Sequence, residues 1–180
     1  MTTLAQQAWL DQDDQLTADL VRRHGWRVVY VVASGDEGAG CALECACRSG
    51  EVEDGPPTPA FAYTVGLFGL GHPELLLFST SPVVAALVLN RLSRRVRAGE
   101  NLLPGRLLEV PGWDRRAVTE QVPNPGGTVY AANAFYRRSA ETSVPVLQVS
   151  YHDDAGRFPW QRGYDLGAGW QPRPGTFWAS

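Results

Sequence analysis

The chain has 180 residues, 44% of them apolar and 19% charged, with a formal net charge of −3. That length suits one domain with a core that needs no disulfide or metal support. The composition excludes a disordered tail, a collagen-like chain and a coiled coil.

The elements follow in chain order. Residues 1–24 form an N-terminal helical extension, with a short helix over roughly 13–24 that Asp13 or Asp14 caps and Gly25 stops. The Val-rich run 26–34 reads as a buried strand. Residues 35–59 form a long loop holding all three Cys, Cys41, Cys45 and Cys47. Two strands follow, AFAYTVGL (60–67) and ELLLFST (74–80), joined by a Gly-rich turn that carries His72. The clearest helix spans about 82–98. Ser81 caps it, Pro82 takes its first position, and Ala85, Val88, Leu89, Leu92 and Val96 form its apolar stripe. Strands are expected at 106–110, 115–122 and 144–152, with a turn at 124–128 and a short helix within 130–139. The aromatic tail after Asp153 needs burial and should wrap over the sheet. The fold class is α+β: a mostly antiparallel sheet, open or curled into a barrel, packed on the 82–98 helix. One core between sheet and helix should gather Val28, Tyr30, Val65, Leu75, Leu77, Leu89, Leu92, Val146 and Val149.

Charge and hydropathy narrow the partners. All 16 basic residues are Arg and Ile is absent, a pattern that codon bias in a GC-rich genome produces. The negative net charge offers a nucleic-acid backbone little, so no nucleic acid is expected, although residues 91–116 carry seven Arg against three acids. Arg91, Arg94, Arg95 and Arg97 read as a solvated helix face. No apolar run approaches the ~18 residues of a membrane span, and the N-terminus lacks a signal core, so a cytoplasmic protein without a membrane partner is expected. A homo-oligomer stays open.

Three constellations could carry chemistry. Tyr63, Thr64, His72 and Glu74 supply a hydroxyl pair and a titratable His–Glu pair flanking Pro73, the candidate catalytic groups being His72, Glu74 and Tyr63. Tyr63 and Thr64 point to opposite faces of their strand. The plainer reading makes His72 a turn cap and Glu74 a solvated strand start. In YHDDAGRFPW (151–160), His152, Arg157 and Trp160 could bind a ligand with Thr64, Arg157 gripping an anion or stacking on a ring. The plainer reading makes Phe158 and Trp160 core plugs. The Cys cluster lacks paired CxxC spacing and a fourth thiol, so no metal site is expected. Phosphate-loop, GxSxG and HExxH patterns are absent.

The runs PAFAYTVGLFGLGHPELLLFS (59–79), RVRAGE (95–100) and VPVLQVSYHDDAGRFPW (144–160), in this order, resemble the bacterial family catalogued as domain of unknown function 4262, over roughly residues 25–173. The resemblance implies a bacterial, single-domain protein and transfers no activity. Two functional readings follow. One is a small-molecule or cofactor-binding domain, with an enzymatic role open, its site set between His72, Glu74 and the GRFPW segment in one concavity. The other is a non-catalytic protein–protein interaction module. A weaker analogy, from strand–strand–helix order alone, is the flavin-binding split barrel; with no Lys, Arg and Thr64 would have to hold its phosphate. The cofactor, if any, stays unknown.

Overall fold

The computed structural model describes residues 3–32, 59–167 and 169–176. The loop 35–58 and its Cys41, Cys45 and Cys47 lie outside the described residues.

Helix α1 spans Leu4–His24, nine residues longer at its start than the sequence reading. The overlooked signal is a capping box at the front of the chain. Thr3 Oγ1 accepts the Gln6 N–H at 3.2 Å, and the Gln6 carboxamide oxygen accepts the Thr3 N–H at 2.7 Å. No Gly or Pro interrupts the run until Gly25, whose φ of 92° ends it. Only the second half of α1 packs on the domain. There Arg27 clamps the Asp13 carboxylate through two N–H groups at 2.7 and 2.8 Å and reaches Thr17. This N-terminal helix is therefore the longest among the described residues, not a short one.

Among the described residues six strands follow: β1 (Arg27–Val31), β2 (Phe61–Val65), β3 (Glu74–Phe78), β4 (Leu107–Glu109), β5 (Arg116–Gln121) and β6 (Val146–Tyr151). Helix α2 (Pro82–Arg97) joins β3 to β4, and the short α3 (Tyr130–Phe135) lies between β5 and β6. The sheet order is β1-β2-β3-β6-β5-β4, with every neighbouring pair antiparallel except β3 and β6. The sheet is open, so the barrel alternative is corrected, and with it the split-barrel analogy loses its geometric basis. Strand β1 is half-buried rather than buried, because it forms one edge of the sheet.

Helix α2 begins as its sequence directs, with Ser81 Oγ accepting the Val84 N–H. Its stripe Ala85, Val88, Leu89, Leu92 and Val96 is buried against Ala62, Leu75, Leu77, Leu147 and Val149. Full burial of each Leu or Val contributes about 1.5–3 kcal/mol. On its outer face Arg95 is taken by Glu100, with Nε at 2.7 Å from its carboxylate, and Arg97 donates to the His24 carbonyl.

Alternation along the strands creates a second apolar cluster on the other face: Phe61, Tyr63, Val65, Leu76, Phe78 and Val146, covered by Val129 and Ala132 beside and within α3. The expected single core is thus two. Val65 and Val146 belong to the second, because each sits one residue out of phase with Thr64 and Leu147.

Candidate functional site

Glu74, a candidate catalytic group or, on the plainer reading, a solvated strand start, is 0% exposed. It begins β3 directly beneath the turn that follows β2. Gly66 bends there at φ 130°, where a Cβ would lie 2.4 Å from the Gly25 carbonyl oxygen. A 3-10 turn over Leu67–Leu70 then presents its first N–H groups to the carboxylate. Glu74 Oε1 accepts from Gly66 N at 2.8 Å and Phe68 N at 3.1 Å; Oε2 accepts from Thr64 Oγ1 at 2.6 Å and Leu67 N at 3.2 Å. Thr64 Oγ1 in turn accepts the Leu75 N–H at 2.9 Å. Burial pushes the Glu74 pKa up to about 7, and the four donors hold it from rising further.

His72 is also engaged with the main chain. Its Nδ1 lies 2.7 Å from the Pro73 carbonyl oxygen, and its Nε2 lies 3.1 Å from the Leu102 nitrogen. A carbonyl only accepts and an amide N–H only donates, so the ring is neutral with its proton on Nδ1. Burial lowers its pKa, in keeping with that neutral form. Tyr63 lies on the opposite face of β2, where its hydroxyl accepts the Ala131 N–H at 3.1 Å and burial raises its pKa. The three expected catalytic groups therefore do not form a constellation. His72 and Glu74 each staple a backbone segment, and Thr64 serves Glu74.

The second group sits elsewhere. Glu74 lies opposite Val146 in the parallel β3–β6 pair, so the chain after Tyr151 leaves from the far end of the sheet. There the buried Asp153 carboxylate accepts from Arg157 N at 2.8 Å, Arg157 Nε at 2.9 Å and Asp165 N at 3.2 Å. Burial acts to raise its pKa, but these donors outweigh it and hold the carboxyl below its ordinary value. Arg157 is thus a loop staple rather than an anion grip. His152 Nδ1 contacts the Asp153 carbonyl, and its ring meets Phe158 edge-on.

Trp160 is 45% exposed, not a core plug. Its ring stacks on Phe158 at 4.9 Å, and the Arg173 guanidinium lies 4.8 Å from its centroid. Trp160 borders a cleft of about 810 Å³ over β5, whose walls include Val118, Glu120, Gln121, Pro104 and Arg173. Neither His72 nor Glu74 lines this cleft. A second cavity of about 500 Å³ adjoins it, sharing Gln121 and Pro123. Glu120 and Arg173 were missed by the sequence reading, since they lie 53 residues apart and carry no motif. A signal did exist in β6: Gln148 and Ser150 are polar at positions that alternate with Leu147, Val149 and Tyr151.

The family model described as a domain of unknown function, DUF4262, matches residues 20–165. The chain belongs to this family. No curated protein and no solved structure matches the chain. The matched residues take in the whole DUF4262 sheet, α2, α3, the Glu74 and His72 staples and Trp160. They leave out most of α1 and the tail that carries Arg173. Among the described residues, no group of three or more His, Cys, Asp or Glu forms a metal-binding cluster, and no helix is long and apolar enough to cross a membrane.

Proposed function

We propose that this DUF4262 domain binds a small organic acid in the cleft over β5. The observation that supports the reading is the unequal use of the two charges in that cleft. Both Glu120 oxygens are occupied, Oε2 by Ser150 Oγ at 2.6 Å and Oε1 by Arg173 Nη2 at 2.7 Å. Arg173 has five N–H donors, gives one to that bond, and its side chain is 44% exposed. The spare capacity of the cleft is therefore for an acceptor, and a carboxylate matches the guanidinium fork. Trp160 adds an apolar wall beside it. His72, Glu74 and Tyr63 stay outside the ligand contacts on this reading, and binding needs no chemistry from them.

Ligand-observed NMR with a set of small carboxylic acids tests it. Binders should be lost with Trp160→Ala and kept with His72→Ala. Acids that bind both variants alike, or that are lost only with His72→Ala, would refute the placement.

A second reading, an interaction module, draws on α1. Trp9 and Leu16, seven residues apart on one helical face, are 55% and 49% exposed. Sedimentation of the protein and of Trp9→Ala distinguishes it: a dimer that Trp9→Ala dissolves supports self-association through α1, and a concentration-independent monomer removes that reading.

A further inference from the structure

The second face of the sheet changes character at β6. Over β2 and β3 it is apolar, but over β5 and β6 the register sets Glu120 beside Gln148 and Val118 beside Ser150. Gln148 and Ser150 are 2% and 0% exposed, so this polar patch needs partners, and the tail supplies them. Gln148 Nε2 donates to the Pro172 carbonyl at 2.7 Å, and Arg173 closes on Glu120.

The tail also completes a strand edge. The His152 N–H bonds across to Arg116 of the β5 side, so the N–H and C=O of the alternate residue Tyr151 face away from β5, toward β3. The β3–β6 register ends at Leu76–Gln148, which leaves that edge open at Tyr151. Gln171 fills it. Its carboxamide oxygen accepts the Tyr151 N–H at 2.9 Å, and its Nε2 donates to the Tyr151 carbonyl at 2.9 Å. A side-chain amide thus stands where the peptide group of an added strand would. One residue earlier, Ser79 Oγ donates to the Trp170 carbonyl, and the Trp170 indole N–H donates to the Tyr151 hydroxyl at 3.1 Å.

Four consecutive residues, Trp170 to Arg173, are each held by a polar group of the sheet or its rim. Carbonyls are read by side-chain donors, an amide by a strand edge and a cation by a carboxylate, which are the contacts an extended peptide makes in a cleft. The sheet and rim residues that hold the tail, Ser79, Glu120, Gln148 and Tyr151, fall within the family match of 20–165, and the four tail residues fall outside it. We infer that the sheet surface carrying Ser79, Glu120, Gln148 and Tyr151, which the tail covers, is a peptide-binding site for a segment of the type Trp-Gln-Pro-Arg on a partner protein, with the chain's own tail as its competitor in cis. The inference goes beyond the small-acid reading and does not depend on it.

A labelled peptide of sequence GWQPRPG, titrated into the full-length protein, tests the proposal by anisotropy. The tethered tail competes at an effective concentration on the order of millimolar. Full-length Gln171→Ala, with its tail weakened, should bind the peptide at least tenfold more tightly than the wild type. A peptide with Ala in place of its Gln should lose that gain. Equal binding by the two proteins, or none up to millimolar peptide, overturns the proposal. Hydrogen exchange on the wild type gives a second decision that needs no variant. A tail that releases leaves the Tyr151 amide exchanging at least tenfold faster than the Val149 amide; equal protection of the two overturns the proposal however the variant behaves.

Discussion

Replacing Glu74 with Gln tests whether burial or hydrogen bonding governs this carboxyl. The group has a pKa of about 7 in the fold against 4.5 as an ordinary Glu, with burial as the largest cause. A raised folded pKa means that between these values the native state holds a proton that the unfolded chain has lost. Its contribution to stability is then complete below pH 4.5 and is lost as pH rises through about 7. At ~1.4 kcal/mol per pH unit, the interval corresponds to a loss on the order of 3 kcal/mol. Gln cannot titrate, so Glu74→Gln should lack this slope. At pH 5 the protonated Glu74 brings one hydrogen, which Thr64 Oγ1 can accept, whereas the Gln NH2 turns two hydrogens toward main-chain N–H groups, so the variant should be less stable there by about 2–4 kcal/mol. His72 acts with the opposite sign. Its lowered pKa contributes stability above about 6.5 that fades as pH falls, and this component is common to both proteins. Urea unfolding at pH 5, 6, 7 and 8 gives the difference between wild type and variant at each pH. That difference should shrink steadily from pH 5 to pH 8. A constant difference would show that Glu74 is ionised throughout, and the account of burial prevailing over four donors would fail.

Three further substitutions follow from the same geometry. Gly66→Ala puts a Cβ 2.4 Å from the Gly25 carbonyl at a φ of 130°, and thermal unfolding should show a loss of at least about 2 kcal/mol. Leu92→Ala empties a fully buried position under α2 and should cost about 2–5 kcal/mol in urea unfolding, with acid binding in the cleft over β5 unchanged. Asp153→Asn replaces an acceptor for Arg157 and Asp165 with a group that is half donor, so limited proteolysis should cut between residues 153 and 165 sooner than in the wild type.

The parts of the fold that sequence discloses are those with local signals. Ser81-Pro82 and the spacing of Ala85, Val88, Leu89, Leu92 and Val96 place α2 to within a residue, because cap and stripe both act inside one helix. The start of α1 was missed although Thr3 and Gln6 carry a cap signal, since the apolar residues between them and Asp13, Ala8, Trp9 and Leu10, are consecutive and show no helical spacing. Strand positions are local too, but which face each residue serves is not. Val65 and Val146 join the second core only because β2, β3 and β6 share one register, a property of three segments at once. The candidate site was legible in part. Thr64 and Glu74 do meet in one hydrogen-bonded knot, while the His72 ring turns to Pro73 and Leu102, and the number of main-chain N–H groups that close on Glu74 depends on a turn bent by Gly66 against Gly25. Glu120 and Arg173 are brought together by pairings far apart in the chain, and nothing near either residue announces the other.

The staples at Glu74 and Asp153 bear on where the proposed ligand would bind. Each is a buried carboxylate that gathers backbone N–H groups, one at the start of β3 and one after the end of β6. Between them the central strands are fixed at both ends, and the groups most suited to acid–base chemistry are used in fixing them. A carboxylate surrounded by its own main chain has no acceptor capacity left for a substrate, and a His held between a carbonyl and an amide has no free nitrogen. On the proposed reading, recognition falls to the outer half of the sheet, where strand register sets Glu120, Gln148 and Ser150 on one face without an apolar cover. That patch is complete only with the tail in place. The placement has a direct consequence for variants: changes at Thr64, His72 or Glu74 should alter unfolding and leave recognition intact, whereas changes at Glu120, Trp160 or Gln171 should alter recognition.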